Sequence, residues 1–165
     1  MEDRIMDLSK SHVLTLGCRL NAYESQVLQE HLDKTGTRGT VVINTCAVTS
    51  EAERQGRQLI RRIKRHYPQA SIVVTGCSAQ LNPHSFAQMA EVDRVFGNSE
   101  KVNPQLFTEA QEQAVVVKDV QEIHALAHYL VSATENRARA FVQIQNGCDH
   151  RCTFCIIPFA RGPNR

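Results

Sequence analysis

The chain has 165 residues, of which 42% are hydrophobic and 22% are charged, a balance that excludes a disordered or fibrous protein and indicates a folded core. This length fits one complete domain and the beginning of another, because single domains typically run to about 100–150 residues. The formal net charge of +2 is too small to indicate nucleic-acid binding by itself.

Three short apolar segments, "HVLTLGC", "TVVINTC" and "SIVVTGC", predict three buried parallel strands, because their near-continuous apolarity suits strands covered on both faces. Helices are predicted between them. Asn21 with Glu24, and Ser50 with Glu53, have the spacing of N-caps that a carboxylate answers three residues later. We expect the first helix to end near Gly36 and the second to end before Pro68.

The second half of the sheet is predicted from shorter signals. Asn82-Pro83 opens a short helix, "DRVFG" predicts a fourth strand and "AVVVK" a fifth, with "SEKVNPQLFTEAQ" irregular or helical between them. The fold class is therefore α/β, an open and mostly parallel sheet flanked by helices, in a domain at 10–118. Residues 119–139 read as a linker with a short helix around "EIHALAHYL". Residues 140–165 begin a new domain with the strand "AFVQIQNG".

Cys18, Cys46 and Cys77 each follow one of the three strands. The carboxyl ends of parallel strands share one edge of a sheet, so these thiols are expected to converge. Three thiolates can hold an iron-sulfur cluster with one iron left open, whereas structural zinc usually takes four protein ligands. The alternative is three cysteines that only pack, since cysteine is often buried.

A second cysteine set closes the chain in "NGCDHRCTFCIIPFARGPNR". Cys148, Cys152 and Cys155 supply three thiols within one loop, and zinc with His150 as fourth ligand is the alternative to an iron-sulfur cluster. Gly147 is expected to provide conformational freedom and Asn146 a local turn bond. No membrane span or secretory signal is recognisable, which predicts a cytoplasmic protein whose six cysteines stay reduced.

The loop resembles the signature of radical S-adenosylmethionine enzymes. Together with "LGCRLNAYESQ", "VVINTCAVTSEAERQ" and "VVTGCSAQ", it resembles the radical S-adenosylmethionine tRNA methylthiotransferase family over essentially the whole chain. Within that family, "GCRLNAYES" is most similar to the MtaB branch, which modifies N6-threonylcarbamoyladenosine beside the tRNA anticodon.

The resemblance implies two 4Fe-4S clusters. Cys148, Cys152 and Cys155 would hold the cluster that binds S-adenosylmethionine and, once reduced by an electron donor, cleaves it to a radical that abstracts hydrogen from C2 of the adenine. Cys18, Cys46 and Cys77 would hold the second cluster, which carries the sulfur to be inserted. A second S-adenosylmethionine would supply the methyl group. The competing class is a non-enzymatic iron-sulfur or zinc protein that binds metal or senses redox state.

A basic stripe on the second predicted helix is a candidate for tRNA contact. Its members follow helical spacing, so they share one face of the helix: Arg57, Arg61, Lys64 and Arg65. Arg54 extends the same stripe by one turn. Contact with the phosphate backbone of tRNA would use these cations. A solvated polar face is the alternative. Arg161 and Arg165 are expected either to meet tRNA phosphate or the cofactor carboxylate, or to remain solvated. A complete enzyme of the family would continue through a β/α barrel, so we expect the chain to be a fragment that is inactive alone.

Overall fold

The computed structural model describes residues 6–108, 113–123 and 141–165. Five parallel strands form one sheet in the order β1-β2-β3-β4-β5. The strands are β1 (His12–Thr15), β2 (Thr40–Thr45), β3 (Ser71–Gly76), β4 (Arg94–Phe96) and β5 (Val115–Val116). The predicted α/β class and the parallel sheet are confirmed.

Helices cover both faces of this sheet. They are α1 (Arg19–Thr35), α2 (Ser50–His66), α3 (Cys77–Leu81), α4 (Pro83–Ala87), α5 (Gln105–Thr108) and α6 (Ile157–Arg161). Leu28 and Leu32 of α1 pack with Val42 and Val73 on one face. The opposite face receives Ile60 and Ile63 of α2 and Phe86 of α4, packed with other apolar residues of β2 and β3. None of the helices that the structure describes is long and apolar enough to cross a membrane.

The helix ends were predicted well and the helix starts less well. α1 stops at Thr35, with Gly36 in the left-handed conformation at its C-cap, and α2 stops at His66. Asn21 is not an N-cap, because α1 already begins at Arg19 and buries the Asn21 side chain. For α2 the predicted N-cap at Ser50 is wrong by one residue, since the hydroxyl of Thr49 accepts the hydrogen bond from Ala52 N at 3.1 Å.

The predicted strand "AFVQIQNG" is wrong over residues 141–147, which have no strand hydrogen bonding. Val142 and Ile144 are 78% and 91% exposed. An apolar segment becomes a strand only where a neighbouring strand pairs with it, and none of the described strands lies beside this one. The predicted helix around "EIHALAHYL" falls mostly on 124–130, outside the described residues.

Candidate metal centre

The first cysteine set lies at the carboxyl edge of the sheet, as predicted. Thr45 and Gly76 are paired in the ladder between β2 and β3, so Cys46 and Cys77 leave the sheet from adjacent positions. Cys18 follows β1 after a short loop and occupies the N-cap of α1. Parallel pairing therefore brings to one edge three residues that are far apart in sequence.

Gly17 brings the loop before Cys18 against Cys46. Its φ of +98° is a conformation that residues with a side chain rarely adopt, and a Cβ at this position would lie 2.5 Å from both Cβ and Sγ of Cys46. Cys46 and Cys77 are buried, whereas Cys18 is exposed. The set therefore reaches solvent on the Cys18 side.

Two asparagines line the inner wall of this edge. Asn21 donates from Nδ2 to the carbonyl oxygens of Leu16 and Thr45, each at 2.9 Å, which ties the ends of β1 and β2 together. Asn44 Oδ1 and Ser78 Oγ are buried and have no hydrogen-bond partner among the described residues. Buried polar atoms are rarely left unpaired, so this edge has the capacity to bind a polar or charged group.

A buried ionic network lies directly behind Cys77. Arg161 Nε donates to Cys77 Sγ at 3.1 Å, and its two terminal nitrogens donate to the carboxylate of Glu24 and to Asn21 Oδ1. Lys101 Nζ donates to the same carboxylate at 2.6 Å. Lys101 is fully buried and Arg161 is 2% exposed, so water screens little of this interaction.

The network contains two cations and one carboxylate. Burial raises the pKa of Glu24, but the charges of Lys101 and Arg161 outweigh burial and hold that pKa below its ordinary value. Burial lowers the pKa of Arg161, yet Glu24 and the Cys77 sulfur raise it above its ordinary value overall. One positive charge remains and faces the sulfur of Cys77. A thiolate, the form of cysteine that binds metals, would balance it.

The second cysteine set lies on an irregular loop. The Cys148 amide donates to the Gly162 carbonyl oxygen at 3.1 Å, and the Cys155 amide donates to the Cys152 carbonyl oxygen at 3.0 Å. Cys152 is exposed, while Cys148 and Cys155 are half-buried. The loop thus folds back on itself and leaves its thiols open to solvent on one side.

The ends of the loop are fastened together by backbone hydrogen bonds. Asn146 and Arg165 exchange two of them, at 2.8 and 2.9 Å, and the Asn146 side chain accepts from the Gly147 amide at 3.0 Å. Gly147 has a φ of +74° and lies where a Cβ would collide with the Pro163 carbonyl oxygen. The predicted roles of Asn146 and Gly147 are confirmed.

All six cysteines are free thiols. Across residues 6–108, 113–123 and 141–165, no three His, Cys, Asp or Glu side chains form a group that could hold a metal ion as they stand. His150, the candidate fourth zinc ligand, is exposed. A thiol set at the sheet edge, with unpaired polar atoms and a surplus positive charge beside it, is still the donor chemistry of an iron-sulfur cluster, which takes each thiolate at a different iron.

The basic stripe of α2 is partly used within the protein. Arg57 donates to Ser85 Oγ at 2.8 Å, and its guanidinium lies 4.5 Å from the centre of the Phe86 ring. Lys64 donates to the Ala70 carbonyl oxygen at 2.8 Å. These two side chains hold α2 against neighbouring parts of the fold, so they are not free surface cations.

Arg61 and Arg65 remain on the outer face of α2, where both are exposed. They line a shallow depression together with neighbouring residues of the helix: Gln58, Arg61, Arg62, Arg65 and His66. Arg61 Nε lies 4.0 Å from the carboxylate of Glu91. Arg62, which lay outside the predicted stripe, belongs to this basic surface.

Arg161 is neither solvated nor free to meet phosphate, because it is buried in the ionic network. Arg165 is half-buried, and its Nη1 donates to the carbonyl oxygens of Arg161 and Pro163. Sequence reasoning missed Glu24 and Lys101 as part of the site. Glu24 was placed in an N-cap pattern with Asn21, and no local pattern distinguishes Lys101 from a surface lysine.

The class of protein is therefore an α/β domain with a parallel sheet and three cysteines at the sheet edge, followed by a loop that carries three more. Residues 10–97 match the family described as "Uncharacterized protein family UPF0004", and the chain belongs to this family.

Similar proteins carry tRNA-modification names. The chain is 46% identical to the threonylcarbamoyladenosine tRNA methylthiotransferase MtaB of Rickettsia prowazekii, over 100% of this chain and 39% of the relative. It is 36% identical to the enzyme of the same name from Aquifex aeolicus, over 92% of this chain and 40% of the relative.

A tRNA-2-methylthio-N(6)-dimethylallyladenosine synthase from Deinococcus radiodurans is 30% identical, over 95% of this chain and 33% of the relative. The chain spans about two fifths or less of the length of these relatives. The resemblance to the MtaB-like methylthiotransferases is confirmed.

Proposed function

We propose that the chain provides the amino-terminal part of a tRNA methylthiotransferase that adds a methylthio group at C2 of N6-threonylcarbamoyladenosine beside the anticodon. The observation that carries this proposal is the placement of Cys18, Cys46 and Cys77 at one sheet edge beside the Arg161 network. The names of the similar proteins support the same reaction class.

In this proposal each cysteine set holds one 4Fe-4S cluster. Three thiolates in each set leave one iron without a protein ligand. When bound, the clusters supply a low-potential electron, which an external donor must provide, and open iron positions for sulfur and for S-adenosylmethionine. Such chemistry fits a reducing cytoplasm, where thiols stay available as ligands.

The residues of the chain have separable tasks at the first set. Gly17 lets the backbone before Cys18 approach Cys46. Burial of Cys46 and Cys77 excludes water from their sulfurs. Arg161 donates a hydrogen bond to Cys77 and balances a thiolate there. Burial and hydrogen bonds to sulfur are the means by which a protein tunes an iron-sulfur cluster.

For tRNA, the proposal relies on the outer face of α2. Within the predicted stripe, Arg61 and Arg65 are exposed and line the depression on α2, whereas Arg57 and Lys64 are engaged inside the protein. Replacing Arg61 and Arg65 by Gln should lower tRNA affinity. The slope of log K against log salt concentration should become shallower by about one for each lost phosphate contact. Lys34→Gln is the matched control, because Lys34 is an exposed cation on α1, which packs on the opposite face of the sheet.

Nucleoside mass spectrometry of tRNA tests the proposed reaction. Deleting the gene that encodes this chain should abolish 2-methylthio-N6-threonylcarbamoyladenosine, leave its unthiolated precursor in place and leave methylthiolated dimethylallyladenosine unchanged. Loss of the dimethylallyl product instead would assign the protein to the other branch. Unchanged levels of both products would contradict the proposal.

A further inference from the structure

Arg161 contacts both halves of the described chain through one guanidinium. It lies at the end of α6, six positions after Cys155, and donates to the sulfur of Cys77, which is 84 residues away in sequence. The same side chain reaches Glu24, 137 residues away. Arg161 thus joins the segment that carries the second cysteine set to Cys77 of the first set. The neutral side chain of Asn98 spans the same gap, since its Nδ2 lies 3.9 Å from Cys77 Sγ and donates to the Ala160 carbonyl oxygen.

The geometry restricts the guanidinium to one orientation. Nη1 and Nη2 both donate to the Glu24 carboxylate, Nη2 also donates to Asn21, and Nε is left for Cys77. Two parallel bonds from a planar guanidinium to a carboxylate fix direction as well as distance. The Nε–H is therefore aimed at the Cys77 sulfur by contacts on the far side of the group.

Hydrogen bonds from Asn98 and Gln121 support the same docking. Asn98 Nδ2 donates to the Ala160 carbonyl oxygen at 2.7 Å, and Lys101 Nζ donates to Asn98 Oδ1 at 2.8 Å. Gln121 Nε2 donates to the Pro158 carbonyl oxygen at 2.6 Å. The backbone of α6 is thus held at two points, while Arg161 supplies the charged contact of this segment with the buried network.

The electrostatic consequence falls on Cys77. Lys101 and Arg161 outnumber Glu24 as buried charges, and the nearest N–H to the sulfur belongs to Arg161. A hydrogen bond from a cation to a ligand sulfur favours the more negative, reduced state of an iron-sulfur cluster and so raises its reduction potential.

We propose that Arg161 is a positioning residue that couples the two cysteine sets. It docks the segment carrying Cys148, Cys152 and Cys155 on the amino-terminal domain and donates to the Cys77 ligand sulfur. The redox half of this inference rests on the proposed function, because it needs a cluster at Cys18, Cys46 and Cys77. The docking half depends on the protein alone.

Hydrogen exchange of the metal-free, reduced chain tests the docking. Arg161→Gln should speed amide exchange in residues 156–165 by about tenfold or more while leaving β2 and β3 unchanged, since a segment exchanges through its own local opening. Arg161→Lys should recover part of the protection. Arg38→Gln, which removes the same charge from an exposed position just before β2, should have no effect. Equal amide exchange of residues 156–165 in the unsubstituted chain and in Arg161→Gln would overturn the docking.

Redox titration tests the contact with sulfur. The parent carries Cys148, Cys152 and Cys155 all changed to Ala, so that iron can bind only at the first set. Arg161→Gln should lower the midpoint potential, Arg161→Lys should lower it less, and Arg38→Gln should not change it. An unchanged potential in Arg161→Gln would overturn the redox role. Failure of the parent to bind iron would instead refute the proposed cluster, and hydrogen exchange would then decide the docking by itself.

Discussion

Replacing Glu24 by Gln removes the only carboxylate of the buried network. Lys101 and Arg161, fully buried and 2% exposed, would then share the network without a negative charge between them. Breaking a buried ion pair by removing one partner costs about 3–5 kcal/mol. Because Glu24 serves two cations, we expect the upper part of that range, a large fraction of a total stability of about 5–15 kcal/mol.

Urea unfolding of the metal-free, reduced chain, followed by circular dichroism, measures this loss. With a slope of about 2 kcal/mol per molar urea, the midpoint should fall by roughly 2–2.5 M. Adding Lys101→Met to Glu24→Gln removes one stranded cation, so the double variant should lose less than the sum of the two single variants.

Asp33→Asn is the matched control on the same helix. Asp33 is exposed and its carboxylate accepts a hydrogen bond from Gln29 Nε2 at 3.0 Å, a bond that the Asn oxygen can still accept, and surface charges contribute about 0–1 kcal/mol. If Glu24→Gln shifts the midpoint no more than Asp33→Asn does, the buried network does not stabilise the fold as described here.

Three further outcomes are expected. The pKa of Glu24 is lowered in the folded protein from its ordinary value of 4.5. The stabilisation of the fold by this carboxylate is therefore complete above pH 4.5 and is lost as the pH falls through the lower folded pKa. The free energy of unfolding should fall more steeply with acid for the wild type than for Glu24→Gln. Gly17→Ala should strongly reduce iron binding at the first cysteine set, measured by iron content, because its Cβ would meet Cys46. Thr49→Ala should cost about 1 kcal/mol in urea unfolding, whereas Ser50→Ala should cost much less, since Thr49 makes the cap bond.

The sheet and its cysteine edge were predictable because local and global signals agree there. Each apolar run is long enough to form one buried strand, and each ends at its cysteine. Parallel pairing then places Cys46 and Cys77 side by side without any further information. The ends of α1 and α2 were also predictable, because Gly36 and Pro68 terminate a helix by local backbone effects within one turn of its last residue.

The buried network was not predictable because its members are distant in sequence. Glu24 is 77 residues from Lys101 and 137 from Arg161, so no periodicity links them. Local spacing even favoured a competing interpretation, in which Glu24 answers Asn21 as an N-cap. Asn21 and Glu24 are instead buried against Arg161 of α6. That burial depends on tertiary packing, which local sequence spacing does not reveal.

Residues 141–147 show the opposite failure. Their composition suits a strand, with Val142 and Ile144 at alternating positions, but both side chains are exposed. β-propensity describes fit to a pleated, half-buried surface rather than a preference of the isolated backbone. Without a paired neighbour among the described strands, the segment has no ladder to join.

Iron counting after anaerobic reconstitution with iron and sulfide tests the two-cluster proposal most directly. The chain should bind about eight irons, and it should bind about four when either Cys18, Cys46 and Cys77 or Cys148, Cys152 and Cys155 are changed to Ala. Spectra of the two triple variants should each show a single 4Fe-4S cluster. Zinc in place of iron, or no metal in any of the three proteins, would contradict the proposal and favour a non-enzymatic metal-binding or sensing protein.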